Sequence, residues 1–289
     1  MKKKLNKIAK DVNFFLSSFL TKQNQTDLIK PMRYGLLPGG KKIRSKLIFD
    51  IGKIFNIKYK NLIYVCAAVE CIHAYSLIHD DLPCMDNDNL RRGKLSTHRK
   101  FGESTAILAG NSLLTMAFEI LGSKNLNINE KIKIKLIDLI SKTSGHSGIA
   151  GGQYLDLNFE HKRVPLKKIV QMQIKKTGKL FSFCCMAPVV ISKKNKFLKS
   201  FDKLGSDIGL LFQIADDLID YRGNSKKAGK KTKKDVKEGK ATLISLLGYQ
   251  NTIKYGEKIK KNIFKKIKKF GKSKNELQNT VNYILERSI

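Results

Sequence analysis

The chain of 289 residues contains no tryptophan, and cysteine and proline each occur only five times. The cysteines are Cys66, Cys71, Cys84, Cys184 and Cys185. Their number is odd and no spacing among them matches a zinc site, so we expect reduced, mostly buried thiols in a cytoplasmic protein. The few prolines and a hydrophobic fraction of 42% exclude a disordered chain and are typical of a globular one.

Targeting and membrane-spanning segments are also lacking. The basic start Met1–Lys4 is followed by a stretch with Asp11 and Asn13, which is too polar for the hydrophobic segment of a signal peptide. No uninterrupted apolar run approaches the roughly 18 residues of a membrane span. We therefore expect no stable membrane insertion.

Acidic residues are scarce beside basic ones, 24 against 57, and the formal net charge is +33. Such a charge fits a surface for nucleic acid or an anionic membrane, an anionic substrate such as a diphosphate, or an AT-rich genome that favours lysine codons. Lysines are scattered over nearly every segment, which favours the compositional explanation. The few arginines, notably Arg44, Arg91 and Arg92, are then more informative than the lysines.

Strand-like alternation is scarce, whereas apolar residues recur at helical spacing, as in Ile43, Leu47, Ile51 and Ile54. Further helix-like runs cover residues 60–81, 101–122, 130–144, 166–190, 197–220, 240–249, 252–269 and 274–287. No internal repeat or linker interrupts them. We predict an all-α helical bundle of about ten or more helices, forming a single domain over residues 1–289.

The segment Gln213–Asp220 places polar side chains on one face of a predicted helix. With Asp216 at 0° and 100° per residue, Asp220 falls at about 40° and Asp217 at about 100°. Gln213, at about 60°, shares this arc, and the opposite face is apolar. Carboxylates this close repel one another unless water or a cation intervenes, and oxygen ligands suit Mg²⁺. A solvated acidic face is the alternative interpretation.

Another acidic segment, His79–Asp88, ends a long helix-like run. Asp86 would not align with Asp80 on a continuous helix, but Pro83 breaks the helix, and a bulge there would return Asp86 to the same site. The C-terminal end of a helix favours cations, so uncompensated carboxylates there indicate a metal ion. A solvent-capped acidic helix end is the alternative.

Basic motifs accompany both acidic segments. Gly39–Arg44 joins a turn to cations at a predicted helix start, where free N–H groups bind phosphate oxygens and arginine adds bidentate contacts. Arg91 and Arg92 follow the first acidic segment closely. Each basic motif alone is weak evidence in so lysine-rich a chain.

As an ordered set, these motifs resemble the trans-prenyltransferase (polyprenyl synthase) family over residues 30–245, and most closely its bacterial members that make farnesyl diphosphate. The densest stretch is Glu70–Gly102, with Cys71-Ile72-His73-Ala74-Tyr75-Ser76-Leu77-Ile78-His79-Asp80-Asp81. The other matching motifs are Phe101-Gly102-Glu103, Ala109-Gly110, Gly151-Gly152-Gln153, Lys176-Thr177-Gly178 and Gln213–Asp220.

The resemblance implies a helical bundle around a central cavity, usually a homodimer, with about two or three Mg²⁺ ions per active site. The implied metal ligands are Asp80, Asp81 and Asp86 on one side and Asp216, Asp217 and Asp220 on the other. The implied contacts of the allylic diphosphate are Arg91, Lys176, Lys230 and Lys240. Those of isopentenyl diphosphate are Lys41, Arg44, His73 and Arg92. Thr177 and Gln213 would lie near the reacting carbons and form the catalytic set together with Lys176.

The implied reaction is the head-to-tail condensation of isopentenyl diphosphate with dimethylallyl or geranyl diphosphate through an allylic carbocation. Residues 222–239 are expected to close over the site as a lid that excludes water. In the family, an aromatic residue at the position of Tyr75, next to Ser76, and the insertion Leu82–Met85 accompany a C15 product. The helical wheel, however, places Tyr75 about 140° from Asp80, so periodicity alone does not show it blocking the cavity.

Several positions depart from the family pattern. The usual Gly-Gly-Lys-Arg-x-Arg-Pro has Lys42 for Arg and Ser45 for Pro, and Asn87, Asn89 and Asn111 replace usual aspartates. None of these removes a named ligand, so we expect activity, and the rate and metal affinity stay open.

The alternatives are a geranylgeranyl diphosphate synthase of the same family, a non-catalytic prenyltransferase-like subunit, a terpene cyclase and a basic nucleic-acid-binding protein. A terpene cyclase shares one Asp-rich motif, but Lys41 and Arg44 imply a second diphosphate site. Nucleic-acid binding gives no reason for two acidic clusters, so we expect no nucleic-acid partner.

Overall fold

The computed structural model describes residues 1–23, 25–37, 39–222 and 242–286. In these ranges the α-helices are α1 Lys2–Thr21, α2 Ile29–Leu36, α3 Ile43–Ile54, α4 Tyr59–Asp80, α5 Thr97–Phe101, α6 Glu103–Gly122, α7 Glu130–Ser144, α8 Ile149–Phe159, α9 Leu166–Gln173, α10 Lys179–Ile191, α11 Leu198–Tyr221, α12 Leu243–Leu247, α13 Tyr249–Ile267 and α14 Asn275–Glu286. Short 3₁₀ turns cover Asn195–Phe197 and Lys268–Lys274. The predicted all-α class is confirmed.

The helix α4 forms the centre of the core, because it is apolar on every side and neighbours cover it. It packs against α3 and α6, while α10 packs against α3, α7 and α11. The helices α4 and α6 are long and apolar enough to span a membrane, which the search for uninterrupted apolar runs missed because small and weakly polar residues punctuate both. In α4, 78% of the apolar stretch is buried inside the protein, as in the core helix of a soluble protein.

A two-stranded hairpin, β1 Leu90–Arg91 and β2 Lys94–Leu95, interrupts the helices and was not predicted from the sequence. Its turn consists of Arg92 and Gly93, with φ of 54° and 76°. Positive φ at both central residues matches the twist of a tight hairpin. The turn positions Arg91 and Arg92 beside the end of α4.

The predicted helix over residues 166–190 contains a π-helical turn, Ile174–Gly178, between α9 and α10. This turn touches the backbone of α8, since a Cβ atom on Gly152 would lie 2.1 Å from the backbone nitrogen of Lys176. Only glycine permits so close an approach. The Gly151-Gly152-Gln153 motif thus holds α8 against the segment that carries Lys176 and Thr177.

The C-terminal helix α14 supports the start of α3. Asp50 pairs with Lys46 and accepts a hydrogen bond of 2.6 Å from Thr280 Oγ1, and all these groups are buried. On the same helix, the ring of Tyr283 lies under the ammonium of Lys41, 5.7 Å from its centroid. The helix α14 therefore contacts both α3 and Lys41 in the turn that precedes it.

Candidate active site

A cavity of about 630 Å³ lies where α3, α4, α8, α11 and the π-helical turn meet. The sequence-predicted residues that line it are Lys41, Arg44, His73, Ser76, Asp80, Asp86, Arg91, Arg92, Lys176, Thr177, Gln213, Asp216, Asp217 and Asp220. Among the described residues, Asp81 and Tyr75 do not line it. Lys230 and Lys240 lie outside the described residues, as does the predicted lid apart from Arg222.

The first acidic cluster forms where α4 ends. The chain turns over Leu82–Met85, and the backbone N–H of Asp86 donates a 2.8 Å hydrogen bond to the carbonyl of Asp80. Both side chains line the cavity, so the return of Asp86 predicted from Pro83 is confirmed. Burial raises the pKa of Asp80 to about 7, with Lys176 opposing the shift and Asp86 adding to it. A carboxyl with this pKa is stabilised in its charged form by any cation that binds beside it.

Asp81 is turned towards Arg91. The Arg91 Nε donates to both carboxylate oxygens of Asp81, at 2.9 Å and 3.2 Å, and Nη2 donates to Oδ1 as well. Arg91 Nη2 also lies 3.3 Å from Asp88 Oδ2. Burial raises the pKa of Asp81, and Arg91 opposes this rise. Asp81 thus anchors Arg91 at the cavity wall, and its role as a metal ligand stays a prediction.

The second acidic cluster lies on α11, as its helical spacing predicted. Asp217 accepts hydrogen bonds from two amides, at 2.8 Å from Gln213 Nε2 and at 3.4 Å from Gln173 Nε2. The hydroxyl of Thr177 donates to Gln213 Oε1 at 3.1 Å. These bonds tie α11 to α9 and the π-helical turn, and so fix the orientation of the cluster.

Lys176 reaches the cavity from the π-helical turn. Its Nζ lies 2.6 Å from Asp156 Oδ2 on α8. Burial alone would lower the pKa of Lys176, but Asp156 and Asp80 raise it above its usual value. The ammonium is therefore charged and lies near the first acidic cluster.

Arg44 and His73 also line the cavity, and Arg44 forms a basic corner of it together with Lys41 and Arg92. The guanidinium of Arg44 stacks on the ring of Phe181, 4.7 Å from its centroid. Burial lowers the pKa of His73 well below its usual range, and Arg44 and Arg92 lower it further, so the ring is neutral at physiological pH. A neutral imidazole donates one hydrogen bond and accepts another.

Arg92 lies over the turn that precedes α3. Its Nη1 donates to the carbonyl of Gly39 at 3.3 Å. A Cβ atom on Gly40 would lie 3.0 Å from the guanidinium carbon, and φ at Gly40 is +86°. The paired glycines therefore let Arg92 pack against the turn, and its side chain and that of Lys41 line the same cavity.

The chain-length residues occupy different positions. Ser76 lines the cavity, whereas the Tyr75 hydroxyl donates to the carbonyl of Ser144 at 3.4 Å and its ring packs against His79. The helical wheel had placed Tyr75 off the Asp80 face. The structure likewise directs Tyr75 towards Ser144 and His79, while its neighbour Ser76 faces the cavity.

The lining residues that were not assigned to the site from the sequence include Glu70, Asp156, Gln173 and Phe212. Asp156 comes about one helical turn after the motif residue Gln153, and Phe212 is the residue next to Gln213. Gln173 precedes the π-helical turn, which shifts its phase relative to Lys176. Only the structure shows that these side chains face the same cavity.

The cavity's carboxylates fit Mg²⁺ by their chemistry, because oxygen ligands without cysteine are what this ion prefers. Within the described part of the chain, no group of three or more His, Cys, Asp or Glu side chains is close enough to enclose an ion. The clusters on α4 and α11 instead line one cavity as separate, open ligand sets. Such a set suits Mg²⁺ that completes its coordination with oxygens of a bound anion.

A helical bundle whose cavity carries two acidic clusters and a basic corner defines a diphosphate-handling enzyme. Residues 25–284 match the family model described as Polyprenyl synthetase. The chain belongs to this family, and it is a prenyltransferase.

Within the family, the chain is similar to the farnesyl diphosphate synthase of Escherichia coli, at 41% identity over 86% of this chain and 85% of that protein. A solved FPP/GFPP synthase from Zymomonas mobilis is 36% identical, with a TM-score of 0.88 and 98% of both chains covered. A Helicobacter pylori geranyltransferase, complexed with magnesium and isoprenyl diphosphate, is 30% identical, with a TM-score of 0.82 over 96% of this chain and 95% of that one. These relatives support the farnesyl type and favour it over the geranylgeranyl alternative.

Proposed function

We propose that the chain catalyses the Mg²⁺-dependent condensation of isopentenyl diphosphate with dimethylallyl and geranyl diphosphate to give farnesyl diphosphate. One observation carries the proposal: two acidic clusters and a set of cations line the same cavity. A lone acidic cluster would suit one metal-bound anion. The separate basic corner at Lys41, Arg44 and Arg92 adds a place for a second diphosphate that needs no metal.

The allylic diphosphate would lie between the clusters on α4 and α11. Asp80 and Asp86 on one side and Asp216, Asp217 and Asp220 on the other would hold the Mg²⁺ ions. When bound, Mg²⁺ neutralises the negative charge that develops on the departing diphosphate. Arg91 and Lys176 would contact the same group, and both are held in place by carboxylates, Asp81 and Asp156.

The isopentenyl diphosphate would bind at Lys41, Arg44, His73 and Arg92. When the allylic C–O bond breaks, the diphosphate leaves with the electron pair, and the isopentenyl double bond attacks the cation. A proton then leaves the new carbon chain for the released diphosphate. Thr177 and Gln213, which are hydrogen-bonded to each other, would lie beside the reacting carbons and orient them.

The direct test is an assay of the purified protein with isopentenyl and geranyl diphosphates, in MgCl₂ and in EDTA. After dephosphorylation, the expected product is the C15 alcohol, formed only with Mg²⁺. No condensation would contradict the proposed function, and a C20 product would favour the geranylgeranyl alternative.

The C15 limit is proposed to depend on Tyr75 and Ser76. Tyr75 is next to Ser76, which lines the cavity, and its hydroxyl reaches Ser144 at the end of α7, so removal of its ring would open space between α4 and α7 for a longer chain. We expect Tyr75→Ala to add products longer than C15 in the same assay, while Tyr75→Phe, which keeps the ring, retains the C15 product. An unchanged product profile in Tyr75→Ala would contradict this role.

We further propose a cytoplasmic homodimer in which each chain is a single domain. The helix α6 supports a second copy as partner, because only 44% of its apolar stretch is buried inside the protein. Ile107 and Leu108 are 42% and 54% exposed on this face. Light scattering tests this assembly. The wild type is expected to be a dimer, and Leu108→Glu, which places a charge on the exposed face of α6, is expected to be a monomer.

A further inference from the structure

Glu70 is a buried carboxylate of α4 whose two oxygens have different partners. Its Oε1 accepts a hydrogen bond of 2.7 Å from the hydroxyl of Ser45. Its Oε2 lies 3.2 Å from Nζ of Lys42, and the side chains of this ion pair are only 3% and 4% exposed. Both partners belong to the start of α3, on either side of Arg44.

The buried charge of Glu70 depends on both partners. Burial alone would raise the pKa of Glu70, but Lys42, Ser45 and Arg44 together lower it, so the carboxylate is ionised. A buried carboxylate is strongly destabilising unless its oxygens are paired or hydrogen-bonded. One ammonium is a point charge on a single oxygen, and the Ser45 hydroxyl satisfies the other.

The orientation of the Arg44 side chain depends on the residues beside it in the chain. Its guanidinium stacks on Phe181, and among the described residues its buried Nε has no hydrogen-bond partner. Lys42 precedes α3 in the left-handed region, at φ of 47°. The direction in which Arg44 leaves the backbone is therefore set by the two contacts of Glu70 at Lys42 and Ser45.

We infer that Glu70 is a positioning residue whose carboxylate is shared by Lys42 and Ser45, and that this three-residue unit holds Arg44 for the diphosphate of isopentenyl diphosphate. The assignment of that substrate rests on the proposed function. Lys42 and Ser45 are also the two positions at which the turn departs from the family pattern. An arginine at position 42 would donate two parallel hydrogen bonds to one carboxylate and leave the hydroxyl dispensable. Lys42 therefore binds only one oxygen of Glu70, and the hydroxyl of Ser45 supplies the hydrogen bond to the other oxygen.

The test is a double-mutant cycle of Ser45→Ala and Lys42→Arg, with KM measured for isopentenyl and for geranyl diphosphate. In the Lys42 background, Ser45→Ala is expected to raise KM for isopentenyl diphosphate about tenfold, since a hydrogen bond to a buried charge is lost. The KM for geranyl diphosphate and kcat should stay within about twofold of their wild-type values. In the Lys42→Arg background, the same change should alter KM for isopentenyl diphosphate less than about twofold.

Ser45→Thr, which retains a hydroxyl, should restore the wild-type KM, and Ser141→Ala, a surface serine on α7, should leave it unchanged. If Ser45→Ala raised KM for isopentenyl diphosphate by the same factor in the wild-type and Lys42→Arg proteins, Lys42 and Ser45 would not share the Glu70 carboxylate, and the inference would be wrong. An equal rise of KM for both substrates would overturn the assignment to isopentenyl diphosphate.

Thermal midpoints of the four proteins give a readout that does not need activity. If Ser45→Ala fails to fold, recovery of folding by Lys42→Arg supports the sharing, and continued failure overturns it. A wild type that folds but has no condensation activity would refute the proposed function. In that case, non-additive effects of the two substitutions on the thermal midpoint would still show that Lys42 and Ser45 share the carboxylate of Glu70.

Discussion

The two acidic clusters face one cavity but are built differently. The cluster on α11 lies on one uninterrupted helix, and amide side chains of Gln213 and Gln173 hold Asp217. The cluster at the end of α4 requires a broken helix, a backbone hydrogen bond from Asp86 to Asp80, and an arginine from a hairpin. One cluster depends on helical periodicity, and the other on a turn that distant residues stabilise.

We propose the same chemical role for both clusters. Their different construction predicts that the loss of a side chain affects the stability of the fold differently in each. Substituting a carboxylate that faces the cavity should affect catalysis in either cluster. Removing a supporting side chain should destabilise the turn at α4 more than the helix α11.

The largest expected effect is on catalysis. Asp80→Asn and Asp216→Asn should each lower kcat about a thousandfold, because each removes a carboxylate that we propose to hold the ions that neutralise the leaving group. Steady-state assays at saturating Mg²⁺ measure this. The matched control is Asp138→Asn, a surface aspartate on α7 paired with Lys142, which should retain wild-type kcat. A large loss in only one of the two variants would show that the clusters are not equivalent in the reaction.

The geometry of the α11 cluster could be predicted from the sequence more completely than that of the α4 cluster. The shared arc of Asp216, Asp217 and Asp220 follows from helical geometry, which local sequence determines. The pairing of Asp81 with Arg91 could not be predicted, because the hairpin strands are only two residues long and carry no alternation. Its turn also places Arg92, a residue other than glycine, at positive φ.

Most helical segments were predictable, since runs of apolar residues at helical spacing mark them, but α2 and α8 lie outside the predicted runs. The π-helical turn Ile174–Gly178 could not be predicted, because one extra residue per turn leaves no compositional mark. For the same reason the partner of Lys176, Asp156 on α8, appeared only in the structure. The periodicity of apolar residues does not predict which distant segments of the chain contact each other.

The next largest effect is on stability. Arg91→Met should lower the free energy of unfolding by about 3 kcal/mol, because it leaves the buried carboxylate of Asp81 without its cation. Gln213→Leu should lower it by only about 1 kcal/mol, because Asp217 still accepts a hydrogen bond from Gln173. Urea denaturation of the wild type and both variants at one pH measures the difference. Equal losses would contradict the distinction between a turn and a helix.

The smallest expected effect is a pH dependence that belongs to the α4 cluster. Burial raises the pKa of Asp80 to about 7, so below that pH protons compete with Mg²⁺ for this proposed ligand. The Mg²⁺ concentration that gives half-maximal activity should therefore be about tenfold higher at pH 6 than at pH 8, as a single titrating ligand predicts.

The pH profile of Mg²⁺ activation also tests which cluster contains the titrating group. The diphosphates titrate too, but they contribute equally in every variant. Asp216→Asn, which leaves Asp80 in place, should keep the wild-type difference between pH 6 and pH 8, while Asp80→Asn should reduce it to the contribution of the substrates. If the difference disappeared in Asp216→Asn and persisted in Asp80→Asn, the titrating ligand would lie on α11, and the regular helix would be the pH-sensitive side of the site.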